Sequence, residues 1–121
     1  MRNIIIHHGS ELNRLLSIEA DERAEGGASH VYKIQGDRGS GLDVFADISF
    51  QRGAVGDAGF NGISDEALLS IVIDRLRGFQ SGPFSCRENA LALTKAEEAL
   101  LWLNARTRDR MARGVEGRAL P

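Results

Sequence analysis

A chain of 121 residues and 13.2 kDa has room for one modest core, and a net charge of −2 with a pI near 5.9 excludes a generally basic nucleic-acid coat. The single cysteine, Cys86, cannot close an internal disulfide, which fits a reducing compartment, and no apolar run approaches the ~20 residues that cross a bilayer. Charge is unevenly placed: Arg106, Arg108, Arg110, Arg113 and Arg118 crowd the end against only Asp109 and Glu116, which suits a focused anion site better than a long phosphate track.

The chain opens with Ile4-Ile5-Ile6 and His7-His8, too short for the apolar region of a signal peptide. Residues 11–19 read as a helical turn or an edge strand, and Gly26-Gly27 ends them in a loop. His30 to Ile34 and Val44 to Phe50 read as strands joined through the glycine-rich stretch Gly36 to Gly41, an antiparallel hairpin. That stretch is no phosphate loop, because it lacks Gly-Lys-Ser/Thr and a strand follows it. Val55 to Gly62 reads as a loop or short strand with Asn61-Gly62 as a turn signal.

From Ile63 the period becomes helical. Ser64 is the expected N-cap, with Asp65 and Glu66 favourable at the positive end of the dipole. Ala67, Leu68, Ile71, Val72, Arg75 and Leu76 fall on one face, and Gly78 is the expected stop. After Ser81-Gly82-Pro83, Ser85 and Glu88 form a capping box, with Phe84 as its hydrophobic staple and Cys86 as a small buried residue. The last helix then runs to about Ala112 and ends at Gly114. Ala90, Leu93, Ala96, Leu100, Leu103 and Met111 are expected on its apolar face, widened by Leu91, Leu101 and Trp102.

The expected fold is therefore α+β: a small N-terminal antiparallel β-sheet followed by a C-terminal antiparallel helical hairpin with one long helix. It forms a single domain over 1–121, β-rich in 1–62, hairpin in 63–114 and tail in 115–121. A helix of ~27 residues is ~40 Å long, more than a short partner helix can cover. The uncovered half calls for a second copy, hence a homo-oligomer.

Candidate chemistry is capture of an anion, not turnover. Arg106, Arg110 and Arg113 fall at i, i+4 and i+7 on one stripe; they read either as a solvated basic helix end or as planar phosphate donors. Phe79 either plugs the hairpin or presents its ring. Asn89 and Arg87, in the first turn of the long helix, can contact a base edge or stand in solvent. Glu97 and Glu98 are adjacent, so they point about 100° apart and make no catalytic pair. The histidines have neither paired cysteines nor metal-ligand spacing, so no catalytic residue, metal or cofactor is expected. Asn89 and Arg106 lie ~25 Å apart along one helix, beyond the reach of a single small ligand. They share a site only if two long helices pair antiparallel across a subunit interface. A small nucleic-acid-binding accessory protein using the arginine-rich end is the alternative.

The runs IIIHHGSELNRLL, GGASHVYKI, FADISFQRG and NGISDEALLSIVIDRLRGFQSGPFSCREN, ending in RTRDR and RGVEG, resemble the phage-encoded Thoeris anti-defence sponge proteins, whose C-terminal hairpin is shared with smaller anti-CBASS sponges. The resemblance implies a dimer-based, commonly hexameric protein in the cytoplasm of an infected bacterium. Such proteins sequester cyclic nucleotide messengers without cleaving them. It implies glycocyclic ADP-ribose isomers as ligands and, in some members, cyclic trinucleotides at a second, separate site. Carried over, Phe79 is the base-stacking ring, Asn89 a polar contact, and Arg106 and Arg110 the phosphate ligands, with Arg87 and Arg113 as further candidates. The loop Gln51 to Gly59 has no matched contact.

Overall fold

The computed structural model describes residues 1–118; positions 119–121 of the expected tail lie outside the described residues. The chain is α+β and divides into two compact units, one of Met1–Arg52 with Phe60–Ile63, the other of Gly53–Gly59 with the chain from Ser64 onward.

The first unit holds β1 (Arg2–Ile4), α1 (Glu11–Leu15), β2 (Ser17–Ala20), β3 (Val31–Asp37) and β4 (Leu42–Ser49). The strands form one antiparallel sheet in the order β1-β2-β3-β4. Residues 11–19 thus supply both a helical turn and a strand. Ser10 caps the turn by accepting from the Asn13 amide. The register places Ile4, Ile18, Ala20, Tyr32, Ile34, Ala46 and Ile48 on one face of the sheet. Between Ile34 and Gln35 the pairing slips from Ala46 to Val44, leaving Phe45 as a bulged residue. The bulge is why β4 alternates with period two only in part. Phe45 stays exposed, with the Arg38 guanidinium 5.6 Å above its ring.

Asp21 fastens the loop between β2 and β3. Its Oδ1 accepts from the His30 and Val31 amides at 3.0 and 3.2 Å, and its Oδ2 from Arg52 at 3.1 Å. Burial opposes its charged form, but the Val31 and His30 amides, the Arg52 guanidinium and His30 together outweigh it and hold the carboxyl below its ordinary value. Beyond β4, the Gln51 amide donates to the Ile63 carbonyl and the Ile63 amide to that of Ser49, both at 2.9 Å. Asn61 exchanges two hydrogen bonds with the Arg52 backbone at 2.7 and 2.8 Å, and its own backbone amide donates to the Gln51 Oε1 at 2.9 Å. The turn signal Asn61-Gly62 therefore closes the base of the excursion Gly53–Phe60.

The second unit holds α2 (Val55–Ala58), α3 (Asp65–Gln80) and α4 (Arg87–Ala112). The segment expected as a loop or short strand forms instead the single turn α2. Its Asp57 and Ala58 amides both bond to the Ala54 carbonyl, and Gly59 at φ 78° ends it. Ser64 caps α3 as expected, accepting from the Ala67 amide at 3.1 Å. The apolar face of α3 is corrected in part: Leu68 and Leu76 are half-buried as expected and Leu69, Ile73 and Gln80 turn inward with them, Ile73 being only 4% exposed, while Ala67, Ile71, Val72 and Arg75 stand out. Both stripes carry apolar residues, so periodicity alone leaves the rotation of the helix open. Packing against α4 and the 2.7 Å pair Arg77–Glu97 fix it.

On α4, Asn89, Leu93, Ala96, Leu100, Leu103, Thr107 and Arg110 follow one half-buried stripe. Ala90 and Met111, expected on it, are exposed, since Met111 lies about 80° from Leu103 around the helix. Leu91, Leu101 and Trp102 are exposed with them. Glu97 is taken by Arg77 and Glu98 by Lys95, so the adjacent carboxylates serve separate cations. Among the described residues no helix is long and apolar enough to cross a membrane.

Candidate anion-binding site

The hairpin turn differs from expectation by a small shift at each side. α3 does not stop at Gly78 but continues through Gln80, because Gly78 keeps helical geometry. The chain leaves the helix at Ser81, whose amide bonds to the Arg77 carbonyl and whose hydroxyl bonds to that of Gly78. Gln80 then reaches across the turn, its Oε1 accepting from the Cys86 amide at 3.1 Å. With that amide occupied, Cys86 and not Ser85 becomes the N-cap of α4, its Sγ accepting from the Asn89 amide at 3.4 Å. The one-residue displacement removes the geometry of the capping box and the staple. Phe84 and Cys86, both expected inside, are exposed.

At this end stand Phe79, Arg87 and Asn89. Phe79 is 39% exposed and carries the Arg75 guanidinium 5.5 Å from its ring centroid, so part of one face is already used by a cation. Arg87 is exposed, and Asn89 is half-buried on the stripe facing α3.

The other end of α4 carries Arg106, Arg110 and Arg113, and the structure separates their circumstances. Arg106 is exposed. Arg113 donates to Asp109 at 3.0 Å, one turn back. Arg110 is nearly enclosed, with its side chain 12% exposed. Its Nε meets the Glu116 carboxylate at 3.3 Å, and its Nη2 donates to the carbonyls of Val115 and Arg118 at 3.0 and 2.8 Å. The arginines therefore do not stand as bare like charges; acids on the same segment are interleaved with them.

That enclosure follows from a return of the chain. Gly114 takes φ 72° just past the helix, which lets the Val115 amide bond back to the Arg110 carbonyl at 3.0 Å. The return next meets α2: the Gly56 amide donates to the Gly117 carbonyl at 2.7 Å. A Cβ on Gly56 would overlap that carbonyl oxygen, so only glycine permits the approach. The stretch Gly53–Gly59 is thereby tied to the arginine end of the long helix. Sequence reasoning missed Gln80, Glu116 and this junction. The glycines of RGVEG and of the loop were visible as turn signals, but nothing in their spacing says that one turn docks on the other.

The six candidates thus form two groups, Phe79, Arg87 and Asn89 at one end of the hairpin and Arg106, Arg110 and Arg113 at the other. Because α4 runs unbroken through 26 residues, Asn89 and Arg106 lie roughly 25 Å apart in one chain. Among the described residues no group of three or more His, Cys, Asp or Glu side chains is placed to hold a metal ion. What the arrangement offers is planar cationic donors, a carboxamide and a partly open ring, the groups that recognise phosphates and bases.

Residues 42–108, more than half of the chain, match the family described as Acb2/Tad1, hairpin domain. The chain is also similar to a curated protein of Bacillus phage SBSphiJ7 named Thoeris anti-defense 1, with 56% identity over 72 residues. That alignment covers 60% of this chain and 51% of the relative, so the chain spans about half the length of the curated relative it matches.

Proposed function

The chain belongs to the Acb2/Tad1 hairpin family, and on that footing we propose that it is a phage anti-defence sponge. In this reading it binds cyclic nucleotide immune messengers, foremost glycocyclic ADP-ribose isomers, and withholds them from Thoeris effectors without cleaving them. Cyclic trinucleotides at a second site, and with them CBASS inhibition, belong to the same proposal. So do a dimer-based homo-oligomer, commonly a hexamer, and action in the host cytoplasm. Phe79 stacks on a base, Asn89 meets a base edge, and Arg106 and Arg110 take the phosphates, with Arg87 and Arg113 at the rim.

The observation that carries this reading is the unbroken helix α4 with apolar side chains exposed along it. A pocket for a ligand of this size is only some 7–10 Å across, from a volume of about 300–1,000 Å³. One chain cannot bring Asn89 and Arg106 to it. Two chains paired antiparallel along α4 can, and the pairing would cover Leu91, Leu101 and Trp102 as it completes the site.

A thermal-shift panel of cyclic ADP-ribose isomers and cyclic di- and trinucleotides tests the reading. At least one messenger stabilises the wild-type protein, is recovered intact by chromatography after heat denaturation, and loses its effect in Arg106→Glu. Recovery of cleaved product would make the protein an enzyme. Affinity that rises with polynucleotide length and falls steeply with salt would favour the nucleic-acid alternative.

A further inference from the structure

Arg110 is the most enclosed of the candidate phosphate ligands, and its acceptors among the described residues are not equivalent. The Arg118 carbonyl lies at 2.8 Å and the Val115 carbonyl at 3.0 Å, both fixed by the backbone of the return. The Glu116 carboxylate lies at 3.3 Å and its side chain is 45% exposed. Charge-assisted contacts of this type close to about 2.7–2.9 Å when well made, so the Glu116 contact is a long one and, among the described residues, longer than the two carbonyl contacts. An enclosed guanidinium needs a counter-charge, and a carboxylate is the protein group closest in chemistry to a phosphate: two anionic oxygens spaced for a planar donor.

We propose that Glu116 occupies the ligand's phosphate position on Arg110 in the empty protein, and that binding exchanges the carboxylate for a phosphate oxygen. The backbone carbonyls of Val115 and Arg118 hold the guanidinium in place throughout, so the donor is oriented before the ligand arrives. The carboxylate stands against its charge in the meantime. Binding then bears the cost of displacing an internal anion, and Glu116 sets the affinity of the site. This inference rests on the reading of the arginine end as a phosphate site. It goes beyond the family match, which ends at residue 108, before both partners.

Calorimetric titration of wild-type protein and Glu116→Gln with the messenger that gives the largest thermal shift is the test. The neutral isostere removes the competitor and keeps the shape, so the variant binds about two- to fivefold tighter, the scale of one partly screened ion pair. A role confined to holding the return has the opposite sign. Exchange protection of the Val115 amide, bonded to the Arg110 carbonyl, reports whether the return stays folded. Unchanged or weaker binding in Glu116→Gln overturns the inference while leaving the sponge reading intact. Absence of messenger binding in both proteins overturns the sponge reading, and the inference with it. Should the variant not fold, the Glu116 side-chain carboxyl 13C resonance of the wild-type protein reads the same exchange. Ligand moves it to the position of a solvated carboxylate, and an unmoved resonance overturns the proposal.

Discussion

Trp102 offers a two-sided test of how the long helix is covered. It is 74% exposed in the single chain, the largest side chain left open on α4. A tryptophan buries about 200 Å² when enclosed, so roughly 150 Å² remains to be covered, worth about 4 kcal/mol per copy at ~25 cal/mol per Å². Trp102→Glu removes that contribution and adds a charge to be desolvated. An association held partly by this ring weakens by several hundred-fold or more, since each ~1.4 kcal/mol is a factor of ten. The isolated hairpin barely notices, because exposed substitutions stay within about 0.5 kcal/mol. Sedimentation equilibrium across a micromolar concentration series, with helical signal followed by circular dichroism, reads both quantities. The expected result is a smaller species of unchanged helicity that no longer binds messenger. An unchanged mass, or a wild-type protein already monomeric at those concentrations and still binding, refutes the reasoning.

Phe79→Ala is expected to weaken an adenine-containing messenger by about 1–3 kcal/mol, the value of one base–aromatic stack; a thermal-shift series with no loss would return the ring to the hairpin alone. Gly56→Ala drives a methyl group into the Gly117 carbonyl and breaks their hydrogen bond, costing about 1 kcal/mol locally. Faster amide exchange at Asp57 and Ala58, together with Val115, is the expected signature, and unchanged exchange at all three would show that the loop and the return are independent. Asp21 has a lowered carboxyl pKa in the folded state, so its contribution is complete above about pH 4, the ordinary carboxylate value, and is lost as pH falls through the lower folded value. Asp21→Asn should therefore flatten the acid limb of a urea-midpoint profile, and a limb as steep as wild type would exclude this residue as its source.

The fold class was legible because the period changes sharply at Ile63, from the near-alternation of Val44 to Phe50 to the three-and-four spacing of the helices. Where legibility failed, the cause was a choice between nearly equal local solutions. α3 carries apolar residues on two stripes, and only its packing on α4 selects Leu69 and Ile73 over Ile71 and Val72. Ser85 and Cys86 are adjacent capping candidates, and the Gln80 side chain, six residues before Cys86, decides between them. The arginine stripe was visible as a stripe. Its individual fates were not, because Glu116 reaches Arg110 only through a turn made by Gly114.

The sheet order β1-β2-β3-β4 has a consequence for how the molecule is made. Each strand hydrogen-bonds to the one before it in the chain, so no rung waits for a distant segment, and loop closure costs little. The first 50 residues can zip in the sequence in which they leave the ribosome, at about 5–20 residues per second, before the long helix has been translated.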